Sequence, residues 1–96
     1  MSDYPSQEYF QELDRLVEES LQRSKGMIGQ QAWLDAQDFW EHGEYGLAIE
    51  TMIFSASELE LPLTRKLADQ LCSAAEIMQL PESVGLLAKK LQSRSV

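Results

Sequence analysis

Apolar residues recur at spacings of three and four almost throughout the chain, and no stretch keeps the strict alternation of a half-buried strand. The pattern predicts five helices. The first covers about residues 5–25, with Tyr9, Phe10, Leu13, Leu16, Val17 and Leu21 on one face and Glu12, Arg15, Glu18, Glu19, Gln22 and Arg23 on the other. Pro5 suits a first helical turn, where its missing N–H costs nothing, and Gly26 suits the left-handed residue just past a helix end. A second helix is predicted over residues 30–42, inward through Ala32, Trp33, Ala36, Phe39 and Trp40, and ended by Gly43. The third follows almost at once, over residues 44–60, with Tyr45, Ala48, Ile49, Met52, Ile53, Ala56 and Leu59 as its stripe. So short a connection folds helices two and three into an antiparallel hairpin. Gly46, in the first turn of the third helix, is a poor helix former that a close backbone approach would explain.

Pro62 is expected to open a fourth helix over residues 63–79, with Leu63, Leu67, Leu71, Ala74, Ala75 and Met78 inward. Pro81 and Glu82 open a fifth that reaches about residue 92, with Val84, Leu87, Ala88 and Leu91 inward. Lys89, Lys90 and Arg94 suit the negative end of that helix dipole, while Gly85 sits in its interior against propensity. The fold class expected is all-α: one domain over residues 1–96, a small bundle of four or five helices with a tight helix-two/helix-three hairpin.

Composition changes the picture chiefly through charge. Hydrophobic residues at 44% and charged residues at 25% exclude a disordered or low-complexity chain. Sixteen acids against eight bases give a net charge of −8, which repels phosphate backbones and anionic membrane surfaces. A nucleic-acid or membrane partner is therefore not expected, and a basic protein partner is. The single cysteine, Cys72, has no partner for an intramolecular disulfide and no Cys/His companions for zinc, as suits a reducing cytoplasm. Residues 1–8 lack a basic segment followed by an apolar one, and no apolar run approaches the ~20 residues needed to span a bilayer. A soluble cytoplasmic protein is the expectation.

The acids are unevenly placed. Residues 1–60 hold 13 acids and 3 bases, whereas residues 61–96 hold 3 acids and 5 bases. Between Lys25 and Arg65 there is no Lys or Arg, but there are Asp35, Asp38, Glu41, Glu44, Glu50, Glu58 and Glu60. Asp35, Asp38 and His42 project to one side of helix two, with Leu34 and Glu41 beside them. A solvated face that maintains solubility accounts for such a surface. A landing pad for a basic partner, which raises association rate and sets orientation, accounts for it slightly better, because no counter-charge intervenes. On helix three, Leu47 and Phe54 lie seven residues apart on the side away from the main stripe, among Glu50, Thr51 and Glu58. A central helix buried on two sides is the favoured explanation; an apolar anchor rimmed by acids is the alternative.

Catalytic patterns are missing. His42 is the only histidine, no nucleophile-elbow glycines are present, and no Glu-x-x-His pair, EF-hand spacing or phosphate-cradling glycine loop occurs. His42 reads as a surface residue at a helix end, Cys72 as a small core residue, and Trp33 with Trp40 as core rather than a stacking platform. Carboxylates on a solvent-facing helix lack the burial that moves two pKa values apart for acid/base work. No enzyme activity, metal or cofactor is expected.

The stretch Phe39-Trp40-Glu41-His42-Gly43-Glu44-Tyr45-Gly46-Leu47-Ala48-Ile49-Glu50 resembles the central signature of MafI-type immunity proteins. In those small acidic helical proteins a helix ends in a His-Gly-Glu-Tyr-Gly-Leu-Ala-like hairpin and a second helix follows. Glu58, Leu59, Leu71, Ile77, Met78 and Leu80 are similar in spacing, so the likeness spans roughly residues 30–82 and excludes the first helix and the Lys-rich tail. The resemblance implies a protein encoded beside a polymorphic toxin, binding the toxin domain stoichiometrically. Several such toxins are nucleases, whose substrate grooves are basic. It transfers no contact residues: Gly43 and Gly46 read as structural, and Tyr45, Ala48 and Ile49 as hairpin packing. On charge and exposure alone, the candidate partner-binding residues are Asp35, Asp38, Glu41, Glu44 and Glu50, with Leu34, Leu47 and Phe54 as apolar anchors. A helical adaptor or regulator that binds a basic cellular protein, as a monomer or a homodimer, is the other reading.

Overall fold

Five helices account for most of residues 7–59 and 62–96, the residues described in the computed structural model of the chain. They are α1 (Gln7–Ser24), α2 (Gln30–Glu41), α3 (Tyr45–Leu59), α4 (Arg65–Ile77) and α5 (Glu82–Arg94), and the described residues contain no strand. The all-α bundle expected from periodicity is the one observed. Pro5 and Glu60, assigned by pattern to helix ends, lie outside the described residues.

α3 is the hub. Its Ala48, Ile49, Met52, Ile53 and Ala56 are wholly buried, and it alone touches all four other helices. α2 touches only α1 and α3, and α5 only α3 and α4. The core continues through Val17, Leu63, Leu67, Leu71, Val84 and Leu91.

The connection between α2 and α3 follows from one glycine. Gly43 takes φ +73°, so its N–H reaches Trp40 O at 3.0 Å and the next N–H, of Glu44, reaches Phe39 O at 2.8 Å. These two bonds satisfy carbonyls at the end of α2 and reverse the chain. The hairpin is antiparallel: Gly29, just before α2, donates its N–H to Ser55 Oγ near the end of α3 at 3.0 Å. At Gly46 a Cβ would lie 3.3 Å from Leu80 Cδ2, so the close approach there is made by a side chain from the α4–α5 connection and not by backbone.

The same reversal recurs after α4 without glycine. Gln79 adopts φ +53°, its N–H bonds Glu76 O at 3.1 Å, and Leu80 N–H bonds Ala75 O at 3.0 Å. α4 therefore ends at Ile77, short of the expected residue 79. It also begins later than expected: Thr64 is its N-cap, its hydroxyl accepting from Leu67 N–H at 3.3 Å. Leu63 is buried as expected but lies in the extended segment before α4, where its carbonyl accepts from Val96 N–H at 3.0 Å. Pro62 precedes this segment and does not open the helix.

A hydrogen-bonded seam joins α1 to α2 and α3. Trp33 Nε1 donates to Leu21 O at 2.8 Å, and Trp40 Nε1 donates to Asp14 O at 3.2 Å. Tyr45 donates its hydroxyl to Asp14 Oδ1 at 3.0 Å. Burial and the neighbouring Asp14 carboxylate push the Tyr45 phenol above its usual pKa. Both indoles are half-buried against the core, as their spacing predicted. Two residues placed inward by pattern are not: Phe10 and Leu59 are exposed, each near the N- or C-terminal end of its helix.

Candidate functional site

Asp38, Glu41 and Glu44 are exposed and gather around His42, the C-cap of α2. His42 Nδ1 lies 2.8 Å from Asp38 O and 3.6 Å from Asp38 Oδ1. The hydrogen bond to the Asp38 carbonyl comes first in raising the imidazole pKa above its ordinary value, followed by the Asp38, Glu44 and Glu41 charges. Asp38 and Glu41 stand in the last turn of α2, the end where the helix dipole is already negative and acids are unfavourable. Glu44 instead precedes α3, where the dipole favours it. Asp35 lies one turn before Asp38, exposed, with Gln31 Nε2 donating to its Oδ1 at 3.0 Å.

Along α3 the structure overturns the favoured explanation of Leu47 and Phe54. Although α3 is central, both side chains are at the surface, 45% and 44% exposed, so burial on two sides is corrected to burial on one. They stand about 10 Å apart, two turns along one ridge. Between them, half-exposed Thr51 donates its hydroxyl to Leu47 O at 2.7 Å. Glu58 is exposed on the same face, and Glu50 is only half-exposed at its edge.

Leu34, in the first half of α2, is exposed too, at 46%. It lines a depression of about 360 Å³ at the start of α2 with Lys25, Trp33 and Ile28. Lys25 Nζ lies 5.3 Å from the Trp33 ring centroid, a cation–π distance. The interval without basic residues is thus a property of the sequence and not of the whole surface: folding brings Lys25 to the N-terminal end of α2. Three exposed acids, Asp38, Glu41 and Glu44, stand together at the α2–α3 turn, and Leu34 lines the depression towards the other end of α2.

Other titratable groups are engaged elsewhere. Gln70 accepts from Arg23 Nη1 at 2.8 Å and donates to Glu19 Oε2 at 2.9 Å, which ties α1 to α4. Cys72 is buried, and burial ahead of the Glu76 charge pushes its thiol pKa up, away from nucleophilic use. Among the described residues no three of His, Cys, Asp and Glu gather where they would hold a metal ion. No described helix is long and apolar enough to cross a membrane.

No protein-family model matches the chain, and no curated protein or solved structure is significantly similar to it. The surface must be read from its own chemistry. What it offers is charge and apolar contact: three carboxylates at a helix–helix turn and a two-turn apolar ridge on the helix that follows. Exposed Leu86, by contrast, falls outside every position singled out from the sequence, and exposed Ile77 entered only through the spacing of the resemblance. Their spacing alone does not distinguish them from core residues; only the absence of a covering helix does.

Proposed function

We propose that this chain is an immunity protein of the MafI type, acting in the cytoplasm by binding a cognate toxin domain and blocking its basic active site or substrate channel. The observation that carries the reading is the acid cluster Asp38–Glu41–Glu44 immediately beside the exposed Leu47–Thr51–Phe54 ridge. Acids at the C-terminal end of α2 oppose the dipole, and their only nearby cation is His42, which is largely neutral at pH 7 by its ordinary value, so an intermolecular role is favoured. An apolar ridge beside charge has the anatomy of an interface whose centre is desolvated and whose rim steers. The resemblance of residues 39–50 to the immunity-protein signature names the kind of partner, and the charge names its sign.

The test is co-purification with the C-terminal domain of a large secreted protein encoded next to this one. A tight equimolar complex that abolishes that domain's toxicity is expected. No complex from folded protein overturns the reading and leaves the adaptor alternative. Within the complex, Asp38→Lys should slow association and flatten its salt dependence while the melting temperature holds. Phe54→Ala should cost about 2 kcal/mol of affinity, as a hot-spot side chain does, with little loss of fold stability because the ring is already half in water. Unchanged association in the first variant, or unchanged affinity in the second, removes that residue from the contact.

A further inference from the structure

Gly85 lies in the interior of α5, where glycine is a poor choice, and nothing in the fold requires it. Its φ is not positive, and a Cβ built there would meet no atom within 4 Å. It lines a groove of about 250 Å³ between α4 and α5, whose wall also includes Cys72, Ala75 and Leu86. Leu86 is 53% exposed, the most exposed leucine among the described residues. The missing Cβ therefore leaves a notch in the surface next to a protruding apolar side chain.

The charges on this face complete a pattern. Glu82, Gly85, Leu86 and Lys89 occupy one side of α5 at positions i, i+3, i+4 and i+7. Neither Glu82 nor Lys89 makes an ion pair among the described residues. The pattern is its own complement when reversed. Two antiparallel copies of α5, related by a two-fold axis between positions 85 and 86, set Leu86 against the notch at Gly85 and Glu82 against Lys89, each twice. A contact with that symmetry is isologous and closes at two copies.

We infer that the α4–α5 groove docks a second copy of this chain, α5 antiparallel to its mate, with Leu86 seated in the Gly85 notch and Glu82 paired with Lys89. Cys72 and Ala75 are the small residues of the α4 wall, with exposed Glu76 and Gln79 beside them. Leu86 supplies the apolar burial, and the ion pairs fix the register more than they add affinity. α2, which carries Asp38 and Glu41, touches neither α4 nor α5. The inference stands on α4 and α5 alone and does not depend on the immunity reading.

Sedimentation velocity of the purified full chain, from about 1 µM to 1 mM, reads the dimer directly. The expected mass rises with concentration from 10.9 kDa towards twice that value. Leu86→Lys should stay monomeric with an unchanged melting temperature. Gly85→Ala should raise the melting temperature by about 4–8 °C, as a helix-interior replacement does in a chain of this size, while it weakens the dimer by about tenfold. Glu82→Lys and Lys89→Glu should each weaken it, and the two together should restore it, because the swapped charges pair again across the two-fold axis. A wild type that stays monomeric throughout overturns the inference. So does a double variant no better than its single parents, or a Leu86→Lys protein that dimerises like the wild type.

Discussion

A carbonyl oxygen accepts but never donates, so the 2.8 Å contact to Asp38 O places a proton on Nδ1 of His42 and leaves Nε2 facing water. The three acids about the ring favour the imidazolium, and the folded state therefore holds the second proton more tightly than the unfolded chain does. The stabilisation is fully present below the unfolded value of about 6.5 and is lost as pH rises through the higher folded value. His42→Gln should accordingly flatten the melting temperature across that interval, with the largest gap from wild type on the acid side and none on the alkaline side. A variant whose profile matches the wild type shows that the ring contributes nothing to folding. Partner binding has the opposite sign: imidazolium sits amid the acids that the proposed basic partner seeks, so acidification should weaken the complex. This microenvironment was legible in part. Sequence spacing placed His42 next to Asp38 and Glu41, but the exposure of Leu47 and Phe54 was not readable, because a helix at the hub has covered and uncovered sides that depend on where four other helices settle.

Helix ends carried the clearest signals and the clearest surprises. Gly26 and Gly43 each take a positive φ at the positions their helix-stopping role required. α4 broke the pattern twice, starting at a threonine cap two residues past the proline and ending on a left-handed glutamine. Neither was apparent, since apolar residues continue on both sides of each boundary and only backbone hydrogen bonding shows where helix stops. The two reversals share their bond pattern and differ in residue, which makes them a matched pair for mutation. Gly43→Ala should destabilise by about 1 kcal/mol, because a Cβ is disfavoured in the left-handed region. Gln79→Gly should stabilise by about 0.5–1 kcal/mol for the same reason, provided the glycine's added freedom in the unfolded chain does not consume the gain. Chemical denaturation of the two variants beside wild type measures both shifts. A fall for Gln79→Gly means that its side chain contributes more than its backbone strain costs. The same hairpin turn that Gly43 makes possible positions Glu44 beside His42, so a fold-level substitution there also disturbs the candidate surface.

Across the whole molecule the segregation of charge along the chain survives folding only in part. Thirteen acids fall in residues 1–60, yet Glu19 is tied to Arg23 and Gln70, Asp14 holds Trp40 and Tyr45, and Lys25 folds onto the start of α2. Exposed Asp38, Glu41 and Glu44 stand together where α2 turns into α3. The body measures 45 × 24 × 20 Å, and at about 0.1 M salt the Debye length is about 10 Å, so charges at opposite ends of the long axis are screened from one another. A partner approaching the turn is therefore steered by the local acids and not by the net charge of −8. The bundle itself was foreseeable from apolar spacing, because five amphipathic helices with short connections have few other ways to bury their stripes. Which helix becomes the hub was not, since α1 and α3 carry comparable stripes. The seam between α1 and α2 gives the molecule an optical gauge. The chain has two tryptophans, and both indoles donate across that one seam to α1 carbonyls. Detachment of α1 would expose both rings and redden their emission together, whereas events confined to α4 and α5 would leave it dark to the spectrometer. Intrinsic fluorescence on this protein therefore times the undocking of a single helix, and a circular-dichroism melt that lags behind it would reveal a bundle that opens from α1 first.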